Sequence, residues 1–248
     1  MARVLLAGES WSTTSIHTKG FDSFITSAYA EGGTEFIAAL REAGHEVTFQ
    51  PNHVAADHFP WSAEELAAFD VVVLSDIGAN TLLLPNDVFA RGQVRPNRLQ
   101  VLADWVRGGG SLLMVGGYLS FQGIEAKANY RATPIAEILP IDMEVGDDRE
   151  ETPQGAAPRV IAEHAITAGM REEWPVVLGY HRLQARTEAA ELVAVDGSPF
   201  VVVGEAGAGR TAVFASDMGP HWLPDEFRAW DGFTTIWDRL VRWLARES

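Results

Sequence analysis

The run Val71-Val72-Val73-Leu74-Ser75-Asp76-Ile77-Gly78-Ala79-Asn80 decides the fold. Four consecutive apolar residues, three of them β-branched, leave no polar face for a strand to show to water. Such a strand is covered on both sides, as in a parallel sheet packed between helices. Similar runs occur at Val4-Leu5-Leu6-Ala7, Leu112-Leu113-Met114-Val115, Val201-Val202-Val203 and Thr211-Ala212-Val213-Phe214-Ala215. Helical periods fall between them. Thr34 is a candidate cap for a helix carrying Phe36, Ile37, Leu40 and Ala43, ended by Gly44 before the strand-like His45–Phe49. A helix near Asn97–Arg107 stops at the triple glycine 108–110, and Phe233, Ile236, Trp237, Leu240, Val241 and Leu244 mark a last helix. Alternating strands and helices predict a doubly wound α/β fold with a mostly parallel sheet, as one domain over 1–248. Residues 141–204 are less regular and predict a β-rich, antiparallel extension, with 147–155 as an exposed loop.

Composition narrows the function. The 248 residues carry 19 Lys and Arg against 34 Asp and Glu, a formal net charge of -15. Nucleic acids and anionic membranes reward clustered basic charge, so neither is expected as a partner. Cysteine is absent, which excludes disulfides, thiolate metal sites and a thiol nucleophile. The apolar run after Met1 is too brief for a signal segment, and no stretch approaches the roughly 18 apolar residues of a membrane span. A cytoplasmic protein is expected.

In open α/β sheets ligands gather at the carboxyl ends of the strands. The first strand leads into Gly8-Glu9-Ser10-Trp11 and then a stretch with His17, Lys19 and Asp22, read as a polar loop. The second leads into Ser75-Asp76 and Asn80, the third into Gly116-Gly117-Tyr118-Leu119-Ser120-Phe121-Gln122, and a late one into Ser216-Asp217-Met218-Gly219-Pro220-His221-Trp222. Two of these turns share the form S-D-apolar-G. Ser and Asp can satisfy backbone N–H groups there and Gly allows the turn, but Asn80 and His221 are not needed for turning. Histidine suits proton transfer near neutral pH. His221, Glu9, Asp217 and Tyr118 are therefore the candidate catalytic residues. Ser10, Trp11, His17, Lys19, Asp76, Asn80, Ser120, Gln122 and Trp222 are the candidate ligand-binding residues. The remaining histidines, among them His181, receive no role. No dinucleotide fingerprint, phosphate loop, H-E-x-x-H or G-x-S-x-G motif occurs, and no cofactor or metal is expected.

The motifs G-E-S-W at 8–11, H-T-K-G-F-D at 17–22, S-D-I-G-A-N-T at 75–81, V-G-G-Y-L-S-F-Q-G at 115–123 and S-D-M-G-P-H-W-L-P at 216–224 span nearly the whole chain. On them the chain resembles the family of putative glutamine amidotransferases, in the class I amidotransferase-like, flavodoxin-like superfamily with ThuA-like relatives. The resemblance implies a G-x-C-x-G elbow with a nucleophilic cysteine, a later histidine and an acid two residues beyond it. Here Tyr118 stands in the cysteine's place, His221 matches the histidine and Leu223 replaces the acid. A phenol of pKa about 10 is a poorer nucleophile than a thiol of about 8.5, so glutaminase activity is expected to be absent. An enzyme acting on a small polar, carbohydrate-derived metabolite by His and carboxylate chemistry is expected. The alternatives are a non-catalytic ligand-binding or homo-oligomeric assembly module and a metal-dependent hydrolase.

Overall fold

The computed structural model describes residues 1–247. Its central sheet has eight strands in the order β4-β1-β5-β6-β14-β13-β12-β9. They are β1 (Arg3–Gly8), β4 (Glu46–Gln50), β5 (Val71–Ser75), β6 (Ser111–Val115), β9 (Arg159–Val160), β12 (Ala190–Val195), β13 (Ser198–Ala206) and β14 (Gly209–Phe214). The pairs β4–β1–β5–β6–β14 are all parallel, while β13, β12 and β9 add on antiparallel. The Val201–Val203 run therefore lies in an antiparallel strand, but its residues are buried like the parallel ones. A continuous apolar run reports cover on both faces, not strand direction.

Helices flank the sheet in two layers. Thr34–Glu42 packs on Gly232–Leu244; Ala63–Leu66, Ala79–Leu83 and Pro134–Ile138 pack around Arg98–Arg107. The right-handed crossover rule puts the helix stepping outward to β4 and those stepping toward β6 on opposite faces. The side chain of Arg98 is buried and donates to the carbonyls of Leu82 (2.8 Å) and Ala56 (2.7 Å), tying Arg98–Arg107 to Ala79–Leu83 and to a further helix, Asn52–His58. The arrangement is the expected α/β fold with small added sheets.

Two expectations fail locally. Residues 10–31 are no loop but the hairpin β2 (Ser10–Lys19) and β3 (Asp22–Glu31), paired residue for residue from Ser10↔Glu31 to Lys19↔Asp22. Gly20, at φ 64°, takes the first position of a two-residue hairpin loop, where positive φ is required. Nor is 149–155 a loop: β8 (Arg149–Ala156) pairs antiparallel with β10 (Val177–His181), and only Asp147 and Asp148 of the expected loop lie outside a strand. A further short pair joins β7 (Ile141–Met143) to β11 (Leu183–Ala185). Charged residues of β8 bond one another and Arg182 across the ribbon, so the strand forms without the apolar alternation that a sequence reading looks for.

Candidate functional site

Gly8 ends β1 at φ 121°, and a Cβ there would lie 1.7 Å from the Ser75 carbonyl oxygen. Only glycine lets β1 come this close to β5. The next residue, Glu9, also has a positive φ of 49°. Its N–H donates to the Ser75 carbonyl (3.0 Å) and its own carbonyl accepts from Gly32 (2.9 Å). So fixed, the Glu9 side chain is buried and accepts a hydrogen bond from the Ser75 hydroxyl. Burial, together with the nearby Asp217 and Asp76 carboxylates, pushes Glu9 well above the usual carboxylate range.

Asp217 follows β14 and is likewise buried. One carboxylate oxygen accepts from the N–H groups of Met218 (2.7 Å) and Gly219 (3.1 Å). Burial and the charge of Asp76 raise it well above its ordinary value, against these hydrogen bonds. Asp76, at φ 43°, accepts from the Leu119 N–H (2.6 Å), while its own N–H donates to the Ser120 hydroxyl (3.0 Å). Burial raises Asp76 too. Three strand ends thus gather three carboxyl groups in a space where they cannot all be ionised cheaply. Such a cluster favours the protonated form of its members.

His221 stands above the cluster, 45% exposed at its side chain, with Nδ1 3.8 Å from Asp217 Oδ2. Its ring meets Trp11 at 4.8 Å and stacks on Tyr118 at 5.9 Å. Tyr118 is 39% exposed and lies beneath the Arg149 guanidinium, 4.7 Å from its ring centre. Left-handed backbone in this turn falls at Gly117, φ 134°, where a Cβ would crowd Asp76, and at Phe121, φ 51°; Tyr118 itself keeps a negative φ. Burial and Glu151 push the phenol upward despite Arg149. Tyr118 is therefore a hydrogen-bond donor at neutral pH and not a nucleophile.

The other named residues divide. The Ser10 hydroxyl accepts from the Asn52 N–H (2.8 Å) and holds the start of β2. Gln122 is buried between Val145 and Arg131, and Ser120 supports Asp76, so both shape the turn from behind. Trp222 is buried, its indole N–H donating to Glu151 (3.0 Å). Asn80 is exposed in the helix Ala79–Leu83. His17 and Lys19 lie far out on the β2–β3 hairpin, His17 stacked on Phe24 at 4.6 Å, roughly 20 Å along the strand from Trp11.

One pair escaped the sequence reading. His181, buried at the end of β10, has Nδ1 2.8 Å from Asp148 Oδ1. Asp148, also buried, accepts from the N–H groups of Gln122 (3.0 Å) and Gly123 (2.8 Å). His181 Nε2 faces the Gly117 carbonyl (3.0 Å) and N–H (3.3 Å). Neutral His181 with its proton on Nδ1 accepts from the Gly117 N–H; charged, it donates to the carbonyl. Arg149, on β8, was missed as well. No motif points to either, because the pairing of β8 with β10 brings them in from the irregular region. Among the described residues no three His, Asp or Glu side chains are disposed around one metal position.

A family described as putative glutamine amidotransferase matches residues 3–246. The chain is similar to the solved structure of cytoplasmic protein STM1381 from Salmonella typhimurium LT2, at 44% identity and a TM-score of 0.95, covering 98% of this chain and 99% of that one. It is equally similar to cytoplasmic protein STM3548 from Salmonella typhimurium, at 43% identity, a TM-score of 0.95, and 97% and 98% coverage. A thua-like protein from Parabacteroides merdae shares the fold at a TM-score of 0.60 and 11% identity, over 98% of this chain and 90% of that one. No curated protein matches the sequence. No helix among the described residues is long and apolar enough to cross a membrane.

Proposed function

Since the chain belongs to the family of putative glutamine amidotransferases but contains no cysteine, we propose that it is a cytoplasmic, single-domain enzyme that uses the family scaffold for other chemistry. It acts on a small polar, carbohydrate-derived metabolite by acid–base catalysis, without a cofactor. The observation that carries this reading is His221 standing half-exposed above the buried carboxyl groups of Glu9 and Asp217, both raised above the usual carboxylate range by burial and by their carboxylate neighbours. An imidazole open to solvent beside a carboxyl group whose burial favours its acid form is the pairing that proton abstraction and return require. Asp217 lies 3.8 Å from the imidazole, close enough to exchange a proton with it after a small movement. Tyr118 at the rim supplies a hydroxyl donor, held beneath the Arg149 guanidinium that Asp147 and Glu151 fix in place, and Trp11 offers an apolar wall.

A thermal-shift panel of sugars, keto-sugars, sugar acids and amides tests the reading with wild type and His221→Ala. A ligand at about 100 times its Kd adds about 2.7 kcal/mol, a rise of several degrees at roughly 2–4 °C per kcal/mol. Turnover of a stabilising compound that His221→Ala abolishes supports the enzyme. Binding without turnover supports the second reading, a ligand-binding assembly module, which the exposed β2–β3 hairpin favours. On either reading the chain self-associates.

A further inference from the structure

The β2–β3 hairpin leaves the body as a ribbon ten residue pairs long. Every residue from Ser12 to Tyr29 is exposed. A lone two-stranded ribbon is marginal in water, and this one offers unpaired N–H and C=O groups along both edges. Alternation sorts its side chains by face. One face holds Thr14, Ile16 and Thr18 opposite Ser27, Ile25 and Ser23. From Ser12 to Thr18 and from Ser23 to Tyr29 it bears no charge, its carboxylate Glu31 lying at the root, and Ile16 and Ile25 are 72% and 66% exposed. The charged residues Lys19 and Asp22 fall on the other face, and the tip presents Phe21 fully to solvent.

These features select an occupant. The ribbon lacks the basic cluster that nucleic acid or an anionic membrane needs. A chain of net charge -15 repels its own copies, and an uncharged apolar face is where two copies approach at least cost. Area sets the geometry. Ten residues span ~33 Å and two strands are about 10 Å wide, so one face covers roughly 330 Å². One arm laid on one body buries about 660 Å² in total, below a stable interface; a reciprocal pair buries about 1,300 Å², within the usual range. At its root the opposite face carries Trp11, which touches His221, so the Ile16–Ile25 face is the one turned away from the site.

We infer that the β2–β3 hairpin is a self-association arm, its Ile16–Ile25 face lying on the body of a second copy that returns the same contact across a two-fold axis. This rests on the self-association reading above, not on the catalytic one. The test is the mass of the full chain in solution by size exclusion with light scattering, at about 10 µM and 100 µM. Three variants accompany wild type: Ile16→Glu/Ile25→Glu, Ser15→Glu/Thr26→Glu with the same charges on the opposite face, and a chain with Ser12–Tyr29 replaced by Gly-Gly. An even-numbered oligomer is expected, weakened at least tenfold by charges on the Ile16–Ile25 face and by arm removal, and kept by the control. Monomeric wild type at both concentrations overturns self-association and the arm together. An oligomer indifferent to the Ile16→Glu/Ile25→Glu change overturns the arm alone. Both isoleucines are exposed, so this variant decides even where the shortened chain fails to fold.

Discussion

His181 Nδ1 and Asp148 Oδ1 lie 2.8 Å apart in a pair with no solvent exposure at either side chain. Asp148 also accepts two backbone N–H groups of the turn that carries Tyr118, and the far nitrogen of His181 meets Gly117. The pair is thus the internal brace of that turn. Replacing Asp148 by Ala strands the imidazole and two buried N–H donors, a loss of roughly 3–5 kcal/mol. The expected fall in Tm is about 6–20 °C, read by differential scanning calorimetry; a change under 2 °C would refute the brace.

Glu9 gives a pH dependence. Burial and its carboxylate neighbours raise Glu9 in the folded chain, so the unfolded state loses that proton first as pH climbs. Stability therefore declines from the ordinary carboxylate range upward, toward the folded pKa. Glu9→Gln keeps an acceptor for the Ser75 hydroxyl and never ionises. Its Tm should match wild type near pH 4.5 and exceed it by a few degrees near pH 8. A wild-type advantage that grows with pH would contradict the assignment.

Gly8 permits no side chain. A Cβ 1.7 Å from the Ser75 carbonyl oxygen, at φ 121°, forces β1 away from β5 at the point where Glu9 is placed. Gly8→Ala should lose more than about 4 kcal/mol and express poorly. A Tm within a few degrees of wild type would show that the strand ends can shift.

His221→Ala removes a half-exposed ring and no hydrogen bond of the core. Its Tm should stay within about 2 °C of wild type, since surface changes stay within roughly 0.5 kcal/mol. Ligand-dependent stabilisation and turnover should fall at least tenfold. Unchanged turnover would remove His221 from the chemistry.

The legibility of this chain follows the hydrophobic period. Val71–Leu74 and Leu112–Val115 announce buried strands because their burial is total, and from them the strand ends, Glu9, Asp76, Asp217 and His221 could be placed together. The hairpin was illegible for the opposite reason. Ser, Thr and Ile around 12–29 face no core of this chain, so no period-2 pattern marks an inside. His181 and Asp148 were missed because their pairing depends on β8 meeting β10, a contact specified by no local signal. Trp222 and Gln122 sit where the strand-end reading put them but are buried, since a loop position says nothing about which way a large side chain turns.

His221 holds φ at 99°, a conformation that glycine enters freely and other residues enter at a cost of about 1–3 kcal/mol. Contacts with Trp11 and Tyr118 return part of that. Laboratory evolution of this chain under heat alone would accordingly enrich glycine at 221, and its hardiest survivors would be the ones without the imidazole.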